Sequence, residues 1–221
     1  IVNLVVKYNL DGINIDFENM YMEDKAMFNR FLIELEPRLN EMGKALSVDV
    51  TAPDGSETWS MCFDRNTISK VADYIIFMAY DQYGASSAQE GTTAGCNWVE
   101  ANITKFLGQE GVNPDKLVLA VPFYTRLWVE GDEDSPYPVD MKNVDAVIPS
   151  NVERTWDDNL KQYYVEYTEN GALHKMWIED TTSISAKLDL IGKYKLAGAA
   201  YWEKDRESPE VWSIVKEKLG N

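Results

Sequence analysis

One stretch of the chain concentrates the groups that could do chemistry. Asp11-Gly12-Ile13-Asn14-Ile15-Asp16-Phe17-Glu18 alternates polar and apolar residues. Side chains along a strand point to opposite faces in turn, so Asn14, Asp16 and Glu18 share one face and Ile13, Ile15 and Phe17 the other. Two neighbouring carboxyls drawn away from water resist double ionisation. One of them then keeps a proton near neutral pH, as a general acid requires. Two other readings fit the same residues: a carboxylate pair in a surface hydrogen-bond network, and a Mg²⁺ or Ca²⁺ site. The spacing does not match an EF-hand loop.

Composition narrows the field. The chain has 221 residues, with 21 Lys and Arg against 37 Asp and Glu, a net charge of −16. That excess argues against nucleic acid as a partner, because a polyanion is bound through a basic face. It argues equally against an anionic membrane surface. No apolar run approaches the ~20 residues that span a bilayer. Residues 1–10 lack the charged start and small-residue cleavage site of a signal peptide. Two cysteines, Cys62 and Cys96, are too few for a cysteine-rich zinc site. They read as free small residues rather than a disulfide. The one histidine, His174, excludes any mechanism that needs two, and it reads as structural. Seven Trp and twelve Tyr in an acidic chain are compatible with sugar handling, as with much else.

The elements that must position the carboxylates alternate strand and helix. Strands are expected over 12–18, 45–52, 73–81, 116–124 and 197–203. Helices are expected over 24–42, 66–71, 97–108, 183–194 and 209–219, with Pro37 marking where the first kinks or ends. Residues 85–95 read as a polar loop. The βα rhythm breaks over 126–180, an acidic stretch with strand-like pieces at 163–168 and 174–179. Asn170-Gly171 between those pieces is a hairpin signal. This segment reads as an insertion, giving three parts: 1–125, 126–180 and 181–221. Five parallel βα units fall three short of a closed (β/α)₈ barrel, which takes ~250 residues. Residues 1–10 read as the last turns of a helix entering the first strand, so the chain is expected to start within a domain.

The octapeptide DGINIDFE resembles the DGxDxDxE signature of glycoside hydrolase family 18, the chitinase and N-acetylglucosaminidase family. Met78-Ala79-Tyr80-Asp81 resembles the family's M-x-Y-D at the end of its sixth strand. Val121-Pro122-Phe123-Tyr124-Thr125-Arg126 is similar to its P-F-Y-G-R segment after the seventh, and Ala200-Tyr201-Trp202 to its eighth-strand tryptophan. The bacterial spore- and cell-wall-associated members look most alike. The resemblance implies an α/β TIM-barrel-type (β/α)₈ fold with only strands 4–8 present and a small α+β insertion between strands 7 and 8. It implies retaining, substrate-assisted hydrolysis of chitin-like or peptidoglycan glycans. Glu18 would then be the general acid, Asp16 the orienting carboxylate, and Tyr80 a donor to the substrate's acetamido oxygen. Asn14, Met78, Asp81, Tyr124, Arg126 and Trp202 would contact the sugar. No cofactor is implied, because the nucleophile belongs to the substrate. The implied partners are a glycan and the missing N-terminal strands or a second copy of the chain. The implied location is secreted, in a cell wall or spore envelope.

Two departures stand out. Asn14 occupies a position where the family usually has Asp. It removes a charge and is expected to hydrogen-bond Asp16, so that Asp16 ionises more readily. The first three strands of the family's barrel are also absent. A non-catalytic sugar-binding relative, or a barrel fragment inactive alone, remains as an alternative reading. Trp202 on residue type alone would more readily be core, a reading that the resemblance reverses.

Overall fold

The computed structural model describes residues 1–220. Ten strands and seven α-helices follow one another as α1 (Val2–Tyr8), β1 (Gly12–Ile15), α2 (Lys25–Asn40), β2 (Ala45–Val50), α3 (Arg65–Val71), β3 (Tyr74–Met78), α4 (Cys96–Gly108), β4 (Leu117–Pro122), β5 (Tyr124–Val129), β6 (Tyr137–Asp140), α5 (Val144–Val147), β7 (Thr155–Asp157), β8 (Gln162–Glu169), β9 (Ala172–Ile178), α6 (Thr181–Tyr194), β10 (Gly198–Trp202) and α7 (Val211–Leu219). They form two five-stranded sheets, ordered β1-β2-β3-β4-β10 and β6-β5-β9-β8-β7. The contacts divide the chain into two compact units. One comprises Ile1–Met78, Asn102–Leu119 and Lys195–Gly198; the other comprises Ala79–Ala101, Ala120–Tyr194 and the segment from Ala199 onward.

In the first unit β1, β2 and β3 are parallel neighbours, in register Ile13↔Leu46 and Val48↔Ile75. The inward positions of their alternation are Ile15, Leu46, Val48, Val50, Ile75 and Phe77, all buried. Helix α2 closes this face with Phe28, Leu32, Leu35 and Leu39, which recur at helical spacing. Pro37 sits in its last turn without ending it. Phe77 packs on Phe106 with ring centroids 4.8 Å apart. The opposite face carries Asn14, Ser47, Asp49, Tyr74, Ile76 and Met78, every one half-buried or exposed. Gly12 permits the close approach of the first two strands: a Cβ there would lie 2.5 Å from the Ala45 carbonyl oxygen.

The second unit contains the antiparallel sheet, built on β5, which pairs with β6 on one side and β9 on the other. The Asn170-Gly171 hairpin joins β8 and β9 with both turn residues at positive φ, 52° and 84°. Val139, Val144, Ile148, Val165, Met176 and Ile178 form its core. Beside it lies a buried polar knot. Lys187 and Glu179, both wholly buried, form an ion pair at 2.8 Å. Ser183 Oγ and Gln162 Nε2 also donate to that carboxylate, at 2.7 and 2.6 Å.

The structure amends the sequence expectations in particular places. The first strand ends at Ile15 rather than residue 18, because its ladder to β2 ends at Ile15↔Val48. The irregular segment holds five strands, not two, and its sheet starts at Tyr124. Strand β5 follows β4 after a single residue, Phe123, so the two read as one strand; β6 contains Pro138 and β7 is three residues long. Each lacks the strand signature that sequence patterning relies on.

Candidate active site

In the first unit the carboxylates follow directly on β1. Asp16, Phe17 and Glu18 lie past the end of the ladder, and all three are exposed. The expectation that burial sets the two acids apart is therefore not met within this chain. Phe17 still turns back onto the apolar side, with its ring 5.5 Å from Phe31 and 5.8 Å from Phe28. The charges of Asp16 and Glu18 reach Asp49, on the face that carries Asn14.

Asn14 does not bond as the sequence suggested. Its Nδ2 donates to Ser47 Oγ and to Asp49 Oδ1, each at 3.0 Å, both on β2. Ser47 stands directly opposite Asn14 in the parallel register, and Asp49 is two residues further along the same face. Asp49 is the functional candidate that sequence reasoning missed. Burial pushes its carboxyl up to about 6; the bond from Asn14 opposes that rise, and the charges of Asp16 and Glu18 add to it. The signal was present in the sequence: an acid at 49 in a largely apolar strand, ALSVDV.

The second unit gathers a separate set. Asp81 follows β3 with φ 53°, in the left-handed region that Asp tolerates better than most side chains. Its Oδ1 accepts from Tyr124 Oη at 2.8 Å, Arg126 Nη2 at 2.8 Å and Arg126 Nε at 3.3 Å. Tyr124 and Arg126 alternate along β5 and so reach the same side. Tyr124 is buried beside the Asp81 carboxylate, and both features drive its hydroxyl well above the ordinary tyrosine range. Tyr80 packs edge-on against Tyr124, centroids 6.4 Å apart. Arg126 and Arg206 lie over the Tyr124 ring at 5.5 and 5.9 Å. Arg206 also pairs with Asp140 and Glu203, at 3.0 and 2.8 Å. Sequence reasoning passed over Arg206, because only tertiary folding brings it to Tyr124.

Trp202 ends β10 with 48% of its surface exposed, so it is not core. Its carbonyl accepts the Phe123 N–H at 2.6 Å. Tyr201, one residue earlier, stacks on Phe123 at 4.8 Å; its hydroxyl is buried with no hydrogen-bond partner among the described residues and pushed up to about 12 by that burial. Met78 closes β3, half-buried on the same face as Asp49. His174 stacks on Tyr167 across the β8–β9 ladder at 5.0 Å, and Ala172 O lies 3.1 Å from its Nδ1. Cys62 and Cys96 are both free and buried. Among the described residues no three His, Cys, Asp or Glu side chains are grouped so as to hold a metal ion. None of the helices among them is long and apolar enough to cross a membrane.

A parallel βα sheet followed at the C-terminal end of its first strand by Asp16 and Glu18 carries acids at the end where barrel enzymes keep their chemistry. The family model for glycosyl hydrolases family 18 matches residues 1–207, and the chain belongs to that family. A chitinase structure from Chromobacterium violaceum superposes with a TM-score of 0.91 at 25% identity, covering all of this chain and 69% of that one. The uncharacterized glycosylase YvbX of Bacillus subtilis is 24% identical over 98% of this chain and 63% of its own length. A cortical fragment-lytic enzyme of Bacillus anthracis is 25% identical over 99% of this chain and 52% of its own. The chain thus spans between half and two thirds of the length of these two curated relatives. Family membership carries a TIM-barrel-like fold, of which the five-stranded βα sheet is the corresponding part.

Proposed function

We propose that this chain carries the catalytic face of a retaining glycoside hydrolase acting on β-linked N-acetylglucosamine glycans. The observation that carries the reading is the acid pair of the DGINIDFE segment, Asp16 and Glu18, intact in a chain that the family model matches from residue 1 to 207. The five parallel strands take the places of strands four to eight of the barrel, with the antiparallel sheet inserted between the last two.

In this reading Glu18 gives its proton to the glycosidic oxygen as the bond to the anomeric carbon breaks. The substrate's acetamido oxygen attacks that carbon from the opposite face and closes an oxazolinium ion. Asp16 orients the acetamido group and offsets the positive charge that grows on it. Tyr80 donates to the acetamido oxygen. Glu18, now a carboxylate, takes a proton from the incoming water, whose oxygen opens the ring and restores the original configuration. A tethered nucleophile gains from high effective concentration, so no protein nucleophile is needed. Trp202 offers an apolar surface to the sugar's C–H face. Asn14, Met78, Asp81, Tyr124 and Arg126 make up the surrounding sugar contacts.

Chitin and peptidoglycan both contain the required 2-acetamido sugar, and the relatives include a chitinase and a cortical fragment-lytic enzyme. Such polymers lie outside the membrane, so the working location is extracellular, at a cell wall or spore envelope. The test is hydrolysis of a chromogenic N,N′-diacetylchitobioside and of peptidoglycan glycan strands, with Glu18→Gln as control. Turnover that vanishes in Glu18→Gln supports the reading. Glycan binding with no turnover, in this chain and in a version extended to its relatives' length, replaces it with a sugar-binding role.

A further inference from the structure

Trp202 ends β10 with an indole that, among the described residues, has neither a hydrogen bond nor a ring contact. Its aim therefore depends on the backbone that carries it. One side of that backbone is held by Phe123, whose N–H donates to the Trp202 carbonyl at 2.6 Å. The other side leads into a turn that Arg206 ties down. We propose that Arg206 is a positioning residue: through Glu203 it fixes the end of β10, and with it the Trp202 ring, against the β5–β6 edge that carries Tyr124. The inference deepens the hydrolase reading above and rests on it for the role of Trp202 toward the sugar.

Three observations support it. First, one guanidinium joins two segments. Arg206 Nε donates to Glu203 Oε1 at 2.8 Å, directly after β10, and Nη1 donates to Asp140 Oδ1 at 3.0 Å, at the end of β6. All three side chains are partly buried, so solvent and salt screen the pairs less than at an open surface. Asp140 stands opposite Tyr124 in the β5–β6 ladder, and the guanidinium lies 5.9 Å from the Tyr124 ring centre. Arg206 thus meets that edge through an ion pair and a ring face. Second, the backbone repeats the link. The Arg206 N–H donates to the Glu203 carbonyl at 3.2 Å and closes the turn, while the Arg206 carbonyl accepts the Lys142 N–H at 3.2 Å. Lys142 Nζ donates to the Asp205 carbonyl. The turn is therefore seated on the residues that follow β6, and the Arg206 side chain fixes how Glu203 lies upon it. Third, the charge balance requires a cation here. Asp140 and Glu203 each lie within 3.0 Å of the same guanidinium. Without it two like charges face each other, and their repulsion drives the residue after Trp202 away from β6. A lysine would keep the charge but lose the planar, two-armed grip.

The test follows the Trp202 indole N–H by nitrogen-15 NMR, its resonance identified among the seven tryptophans by its loss in Trp202→Phe. Two variants are compared with the wild type: Arg206→Gln, which removes the cation, and Glu203→Ala, which cuts the link to β10 and leaves the Arg206–Asp140 pair in place. In both, the Trp202 resonance is expected to move toward that of a freely turning tryptophan while the other six stay. Affinity for tri-N-acetylchitotriose, measured by calorimetry on the same proteins, is expected to fall in both by about three- to tenfold, the worth of one aromatic stack. A general loss of stability would not single out one indole, and Glu203→Ala keeps the test open where Arg206→Gln fails to fold. A Trp202 resonance unmoved in the folded variants overturns the inference. So does affinity lost in Arg206→Gln and kept in Glu203→Ala, which would make Arg206 a sugar contact in its own right. A wild type that binds no oligosaccharide counts against the glycan reading, and the Trp202 resonance then decides the positioning by itself.

Discussion

Asp49 is the acid whose ionisation the fold resists most plainly on the carboxylate face. Its carboxyl stands at about 6 in the folded chain, against 3.8 for the ordinary residue. The native state therefore binds more protons than the unfolded state between about pH 4 and 6, and stability falls as pH rises through that window. Asp49→Asn should raise Tm at pH 7.5 and leave it unchanged at pH 3.5, as scanning calorimetry at the two pH values would show. Asn14→Asp should act in the opposite sense, because it places a second carboxyl 3.0 Å from Asp49. Its Tm is expected to lie below wild type above pH 6 and to recover on acidification. In the second unit, Asp81 gathers three donated hydrogen bonds on one oxygen. Arg126→Lys keeps the charge but loses the two-nitrogen grip on that oxygen, and is expected to weaken glycan binding more than the chain's stability.

At the scale of elements, two positions show how backbone and burial set the scaffold. A methyl at Gly12 would meet a carbonyl oxygen of the adjacent strand at 2.5 Å. Gly12→Ala therefore has to push β1 away from β2 and should cost about 1–3 kcal/mol in urea unfolding, in the range of overpacking substitutions. The Lys187–Glu179 pair is wholly buried beside the antiparallel sheet. Lys187→Met strands the carboxylate, whose proton affinity burial already raises, and is expected to cost about 3–5 kcal/mol. Adding Glu179→Gln should recover a large part of that loss, since Gln162, Ser183 and Lys187 are the groups that meet Glu179 and two of them keep a partner. A double-mutant cycle by chemical denaturation measures both numbers.

At the scale of the whole chain, the charge of −16 dominates. Self-repulsion at this density is screened by salt, so Tm should rise between 10 and 300 mM NaCl, where the screening length shortens severalfold. Under the proposed function, a glycan carries little of the positive charge that would attract so acidic a protein, so its association is expected to depend on stacking and hydrogen bonds and to change little with salt.

The order of the βα elements, the Asn-Gly hairpin and the acids at 16 and 18 were all legible in the chain, because each is a local pattern of period or spacing. The family followed from four short segments in the right order. Three features were settled only by folding. Strand β5 was hidden because it begins one residue after β4 and has no turn signal to separate them. The bond from Asn14 to Asp49 joins residues 35 apart, and no local pattern reports which strand lies beside which. Arg206 reaches Tyr124 from 82 positions further along the chain for the same reason. Sequence alone determined which groups could act and in what order they occur. The tertiary structure decided which of them lie near enough to act on one another, because Coulomb interaction and desolvation depend on distance in space and on exposure, and neither is written in the spacing of residues along the chain.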